Sequence, residues 1–177
     1  MIYIALLRGI NVSGQKKILM ADLRKLLSEL GLENVKTYIQ SGNVLFNTKR
    51  TSIEKLETRI HNAIKNHYGF NVDVIVKKPK ELKEILNTCP FNEEKKHKSY
   101  FTMLHTLPDK KLVKEASQKQ YPGEEYHIIK NCIYFYCVTG VGKAKFNTNF
   151  FEQKLNTTST TRNYNTMMKL LSLSTEM

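Results

Sequence analysis

The chain has 177 residues, the length of one ordinary domain or of two small domains packed closely together. Hydrophobic residues make up 41% of it and charged residues 25%, which excludes a disordered chain on the first count and a membrane-embedded one on the second. The 28 Lys and Arg against 16 Asp and Glu leave a net charge of +12, which attracts phosphate-bearing partners.

The first half of the sequence predicts alternating strands and helices in the order βαββαβ. A continuous apolar run predicts a buried strand at 2–7, and leucines at helical spacing from Leu23 to Leu30 predict a helix that ends at Gly31. Thr51 and Glu54 form a capping-box pattern before a second helix that runs to Gly69. The remaining strands are predicted at 36–40, 43–47 and 72–76. This order is typical of a ferredoxin-like unit.

The second half predicts a similar order after a short linking helix over 79–87. The pattern predicts strands at 99–105, 126–129 and 132–138, and helices at 108–119, 150–155 and 164–173. We therefore predict an α+β fold made by tandem duplication of ferredoxin-like βαββα units, with an added C-terminal helix. The two halves are predicted to span 1–78 and 79–177, with a cleft between their sheets.

The cysteines and the N-terminal sequence bear on the cellular compartment. Cys89, Cys132 and Cys137 are an odd number without a close-spaced pair, which argues against a disulfide framework and a zinc site. The apolar run at the N-terminus is cut off by Arg8 and is too short for a signal peptide. We expect a cytoplasmic protein that does not associate with membranes. The sequence leaves its oligomeric state open.

The basic residues have two explanations. Of the 28, 23 are Lys, and they are scattered along the chain in pairs such as Lys16-Lys17 and Lys77-Lys78. Codon usage that favours Lys explains such a distribution, whereas a nucleic-acid footprint should cluster on one face. The basic charge is therefore either compositional or functional.

No pattern of metal-ligating or nucleophilic residues stands out. His61 and His67 are six residues apart on a predicted helix and point to different faces, and the other histidines stand alone in their segments. Cys132 and Cys137 are five residues apart on one strand and also face opposite ways. We expect no metal and no cofactor.

The segment Thr139–Ala144 follows a predicted strand and contains two glycines and a lysine. It lacks the first Gly of a P-loop and the Ser or Thr after the Lys, where Cys137 and Ala144 stand instead. This argues against a P-loop nucleoside triphosphatase. A weaker anion-binding turn that uses Lys143 or Lys145 is the alternative.

Three polar segments are not explained by the periodicity of helices or strands: residues 8–12, 40–43 and 160–166. Two of the five arginines, Arg8 and Arg162, lie in them. In a chain that otherwise uses Lys on its surface, Arg at these positions suggests a need for the planar, bidentate guanidinium. The alternative is structural: Arg8 would then brace its loop, Ser41-Gly42-Asn43 would turn the hairpin, and Thr161 or Asn163 would cap the last helix.

The same segments carry a family resemblance. The motifs Leu-Leu-Arg-Gly-Ile-Asn-Val at 6–12, Tyr-Ile-Gln-Ser-Gly-Asn-Val at 38–44 and Thr-Thr-Arg-Asn-Tyr-Asn-Thr at 160–166 resemble the bacterial family called domain of unknown function 1697. The family pattern has Trp at the position of Tyr164 and Ser-Lys-Leu at 144–146. The resemblance implies an α+β bacterial protein of about this length and supplies no activity.

Three functions follow from these observations. The first is binding of an anionic, phosphate-bearing small ligand, such as a nucleotide, in the cleft between the halves. The second is a nucleic-acid-binding module, in which Tyr134 and Tyr136 project together from one strand and stack bases. The third is a structural or interaction protein. For the first, the predicted ligand-binding residues are Arg8, Asn11, Ser41, Asn43, Lys145, Arg162 and Asn163.

Whether the protein is an enzyme is left open by these residues. They supply amide, hydroxyl, ammonium and guanidinium groups but no His, Cys or carboxylate to act as a base or nucleophile. This favours binding, or catalysis by positioning and charge alone, over hydrolysis.

Overall fold

The computed structural model describes residues 1–138 and 144–177. The chain divides into two compact units, one made of residues 1–83 and 169–177 and the other of residues 84–168. Each unit holds a four-stranded antiparallel sheet with flanking helices, so the predicted α+β class is confirmed. The internal duplication that we infer from the repeated pattern stays a prediction.

The first unit contains a sheet with the strand order β2-β3-β1-β4, in which β1 is antiparallel to both of its neighbours. This is the strand order of a ferredoxin-like unit. Its elements are β1 (Ile2–Leu7), α1 (Met20–Glu29), β2 (Glu33–Tyr38), β3 (Asn43–Asn47), α2 (Ile53–Tyr68) and β4 (Val74–Lys77).

The core of this unit lies between one face of the sheet and the two helices. Alternate residues of β1, such as Tyr3 and Ala5, are fully buried in one cluster with Leu23 and Leu27 of α1 and Ile60 of α2. Such burial follows from the period of two along a strand and the i, i+4 spacing along a helix. These predicted elements are confirmed within a few residues of their ends.

The start of α2 differs in its cap. Ser52, not Thr51, is the N-cap residue, and its side chain accepts a hydrogen bond from the amide of Lys55. The capping-box prediction was therefore displaced by one residue. The C-terminal end is as predicted, because Gly69 adopts a left-handed φ of 78° and closes the helix.

The second unit contains a sheet with the order β6-β7-β5-β8, the same relative order as in the first unit. Two helices, α3 (Pro79–Asn87) and α7 (Tyr164–Thr175), contain the points where the chain passes between units. The other elements are α4 (Glu93–His97), β5 (Tyr100–Leu104), α5 (Lys110–Ala116), β6 (Glu124–Ile129), β7 (Cys132–Cys137), α6 (Thr148–Leu155) and β8 (Ser159–Asn163).

Strand β8 corrects a sequence-based interpretation. The polar run at 160–166 is not an irregular segment, because its first part pairs antiparallel with β5. Its polar side chains have several kinds of partner: the hydroxyl of Thr161 bonds across the ladder to that of Thr102 at 2.8 Å, and the hydroxyl of Ser159 donates to Glu152 of α6 at 2.8 Å. With β8 the second unit has the full βαββαβ order rather than βαββα. The short helix α4 was also not predicted.

Two expectations about the chain as a whole can be compared with the described residues. None of the helices there is long and apolar enough to cross a membrane. Cys89, Cys132 and Cys137 are free thiols, and Cys132 and Cys137 are buried.

Candidate functional site

The chain leaves β1 through a loop with an unusual backbone. Five of its residues have positive φ, from 46° to 75°: Gly9, Asn11, Ser13, Gly14 and Lys16. Glycine and asparagine tolerate this conformation best. The loop folds back on itself, since the amide of Asn11 donates to the carbonyl of Lys16 at 3.2 Å.

Asn11 holds this loop against the hairpin between β2 and β3. Its Nδ2 donates to the carbonyls of Ile18 and Gln40, both at 2.9 Å. Its Oδ1 accepts from the amide of Ile18, also at 2.9 Å. The side chain therefore uses its acceptor and both of its donors to join two of the three polar segments.

Ser41 and Asn43 shape the turn of that hairpin. Asn43 is fully buried, and its Nδ2 donates to the carbonyl of Tyr38 at 3.1 Å and to the hydroxyl of Ser41 at 3.0 Å. Between them, Gly42 has a φ of 79° and accepts a hydrogen bond from the amide of Leu7 at 2.8 Å. These bonds fix the position of the preceding residue, Gln40.

Arg8 lies at the end of β1, beside the start of β4. Its Nη1 is 3.2 Å from Oδ2 of Asp73, and its backbone amide donates to the Asp73 carbonyl at 3.0 Å. The Arg8 side chain is about one third exposed, at 33%. This ion pair supports the bracing role that the sequence left as the alternative.

A cavity of about 340 Å³ opens beside Asn11 and Gln40, at the start of α1. The residue before this helix, Leu19, makes no side-chain capping bond to it. Within residues 1–138 and 144–177, the amides of Met20, Ala21 and Asp22 have no hydrogen-bond acceptor, so the first turn of α1 presents these donors and the positive end of the helix dipole. The lining residues are Asn11, Gly14, Lys17, Ile18, Leu19, Met20 and Gln40.

Lys17 is the one charged residue among those lining residues. It is exposed, and within residues 1–138 and 144–177 it has no ion-pair partner, whereas the ammonium of Lys16 donates to the carbonyl of Asn71 at 2.8 Å. Sequence reasoning did not single out Lys17 or the uncapped helix. The available signal was the absence of Ser, Thr, Asp or Asn immediately before Met20.

In the second unit, Arg162 is buried and only 8% exposed. Its Nη1 donates to the hydroxyl of Thr160 and to the carbonyl of Thr161, both at 2.8 Å. Burial lowers the pKa of Arg162 to about 10, which still leaves the guanidinium charged at neutral pH. Nη1 of the guanidinium is thus engaged by residues of its own strand.

Asn163 and Lys145 have separate local roles. Oδ1 of Asn163 accepts a hydrogen bond from the amide of Thr166 at 2.8 Å. Asn163 therefore caps α7, which begins at Tyr164. The predicted start of the last helix at Tyr164 is confirmed, and of the two residues considered as its cap, Thr161 lies within β8 instead. The backbone amide of Lys145 donates to the carboxylate of Glu124, and its side chain is exposed.

The tyrosine pair proposed for base stacking is not accessible. Tyr134 is 1% exposed and Tyr136 is 9% exposed. The hydroxyl of Tyr134 donates to the carbonyl of Ile85 at 2.9 Å, and burial raises its pKa. The two residues do share a face of β7, but α3 and Phe91 cover that face. This correction removes the main sequence argument for a nucleic-acid-binding sheet.

No group of three or more His, Cys, Asp or Glu side chains suited to a metal ion occurs in the described part of the chain. The glycine-containing segment considered as an anion-binding turn lies almost wholly outside it, since residues 139–143 are not among the described residues.

Comparison with known proteins supports the family and the fold. The family model described as a protein of unknown function, DUF1697, matches residues 1–134. A conserved bacterial protein from Streptococcus pneumoniae has a similar structure, with a TM-score of 0.72 and 24% sequence identity over 97% of each chain. At this identity the likeness shows the fold alone. No curated protein matches the chain.

Proposed function

We propose that this chain, which belongs to the DUF1697 family of proteins of unknown function, binds a phosphate-bearing small ligand in the cavity at the start of α1. The observation that supports this proposal is the coincidence of that cavity with an uncapped helix N-terminus and with Lys17.

The anion would be held by the start of the helix. The first-turn amides of α1 need acceptors, and a helix N-terminus carries a partial positive charge of roughly half a unit. A phosphate accepts several such hydrogen bonds at once. Lys17 adds a full positive charge at the same cavity.

The remaining lining would hold the rest of the ligand. Ile18, Leu19 and Met20 offer apolar contact, and Leu19 is 70% exposed. The cavity volume of about 340 Å³ lies at the lower end of the range for small-ligand pockets, roughly 300–1,000 Å³. A mononucleotide or a sugar phosphate is the size class that we expect.

The other predicted residues have different places in this proposal. Ser41 and Asn43 act indirectly, because they set the turn that positions Gln40. Lys145, Arg162 and Asn163 belong to the second unit, and their contact with a ligand stays a prediction. The cavity lining contains no His, Cys or carboxylate, so it favours binding over acid–base catalysis.

Titration calorimetry with a mononucleotide series and with inorganic phosphate tests the proposal. Lys17→Gln should weaken nucleotide binding several-fold, because it removes a charge from the cavity. Lys25→Gln is the matched control, since Lys25 lies on α1, does not line the cavity and is 79% exposed. Equal loss in both variants would indicate attraction by net charge only. Absence of binding to the unmodified protein would favour the structural alternative.

A further inference from the structure

Strand β6 is an outer strand of the second unit's sheet, and a groove of about 910 Å³ runs along it. All six residues of β6 line this groove, and the other side is formed by residues of the 117–122 segment. A strand edge beside an open groove is a surface on which another strand can pair.

The register shows which backbone groups of β6 point into the groove. Ile129 pairs with Cys132 across a two-residue turn. The backbone N–H and C=O groups of odd-numbered β6 residues therefore bond to β7, and those of even-numbered residues point away from β7. The same alternation requires β7 to bond to β5 through its odd-numbered positions. The 2.8 Å hydrogen bond from the amide of Leu104 to the carbonyl of Asn131 agrees with this requirement.

One of the outward amides already has a partner. The amide of Glu124 donates to the carbonyl of Tyr121 at 3.0 Å. Within the described residues, the outward backbone groups of Tyr126 and Ile128 have no such bond. These two residues therefore offer two donors and two acceptors, and the carbonyl of Glu124 offers a further acceptor.

We propose that β6 pairs antiparallel with β6 of a second copy of this chain, centred on Tyr126. In any symmetric pairing the outward residues must face outward residues, which leaves a small set of registers. A pairing centred on residue 125 places Glu125 opposite its own copy and is repulsive. A pairing centred on residue 127 places His127 opposite its own copy and Glu125 opposite Ile129, so no carboxylate faces an imidazole.

The register centred on Tyr126 is the one with complementary side chains. It places the carboxylate of Glu125 of each copy opposite the imidazole of His127 of the other, so an acceptor faces a hydrogen-bond donor twice. Both residues are exposed, although within their own chain Glu125 contacts Lys95 and the His127 ring packs edge-on against Phe91. The backbone contributes two bonds between the Tyr126 residues and two from Ile128 amides to Glu124 carbonyls.

Sedimentation velocity over a range of protein concentrations tests this pairing. The unmodified protein should shift with concentration from one 20.6 kDa chain toward twice that mass. His127→Glu places two Glu pairs in the interface and should weaken dimerisation by roughly tenfold. The double variant Glu125→Lys with His127→Glu places opposite charges across the interface and should recover the dimer.

His67→Glu is the control, because it makes the same charge change at an exposed position of the first unit. Circular dichroism checks that every variant is folded. A protein that stays monomeric at all concentrations overturns the proposal. So does a dimer that ignores His127→Glu, that is weakened equally by His67→Glu, or that the double variant fails to restore.

Discussion

Gly42→Ala should destabilise the first unit through two separable costs. The φ of 79° at Gly42 is left-handed, which costs an L-residue roughly 1–2 kcal/mol. An added Cβ would also lie 2.6 Å from Cβ of Leu7 and 3.0 Å from Cδ1 of Ile10. Both neighbours are buried, so the core has to shift to accommodate the added carbon. Overpacking of this kind typically costs about 1–3 kcal/mol, which adds to the backbone cost.

The chain contains a control for the backbone part of this cost. Gly69 has a φ of 78°, and an added Cβ there meets nothing within 4 Å. Gly69→Ala should therefore cost roughly 1–2 kcal/mol from the backbone conformation alone. Chemical denaturation followed by circular dichroism gives the free energy of unfolding for both variants. Equal losses would refute the reasoning, because the close approach to Leu7 would then contribute nothing.

Further substitutions test single contacts. Asn11→Ala removes three hydrogen bonds and should lower the free energy of unfolding by about 2–4 kcal/mol, measured by denaturation. Asp22→Asn removes the acidic charge in the first turn of α1 and should strengthen phosphate binding about two- to fivefold in calorimetry. Arg162→Lys keeps the buried charge but loses the fork, so it should cost about 1–3 kcal/mol in denaturation. Tyr134→Phe leaves the carbonyl of Ile85 without its donor and should cost about 1–2 kcal/mol by the same measurement.

Elements with a strong local pattern could be predicted from the sequence. The buried run of β1 and the amphipathic spacing of α2 follow from the residues within each element. Strand β8 could not, because it is polar and its partner is remote. Its Thr161 hydroxyl bonds to that of Thr102, 59 residues earlier. Only the paired strand explains why such a segment is extended.

The candidate site was predictable in part for the same reason. The motifs that contain Asn11 and Gln40 were singled out from the sequence, and the structure places these residues together at one cavity. The ion pair of Arg8 joins residues 65 positions apart, which local patterns do not reveal. The shared face of Tyr134 and Tyr136 was predictable from alternation, but its cover by other elements was not.

The bonds of Asn11 bear on the kinetics and entropy of ligand capture. Because this side chain ties Ile18 to the hairpin without any ligand, the walls of the cavity are in position before binding. Because no loop has to be ordered on association, a preorganised site loses little conformational entropy. Ligand association should therefore be fast, and its time course should follow a single exponential. The amide of Ile18 should then show similar protection from hydrogen exchange with and without nucleotide, whereas in Asn11→Ala the ligand itself would have to order the loop.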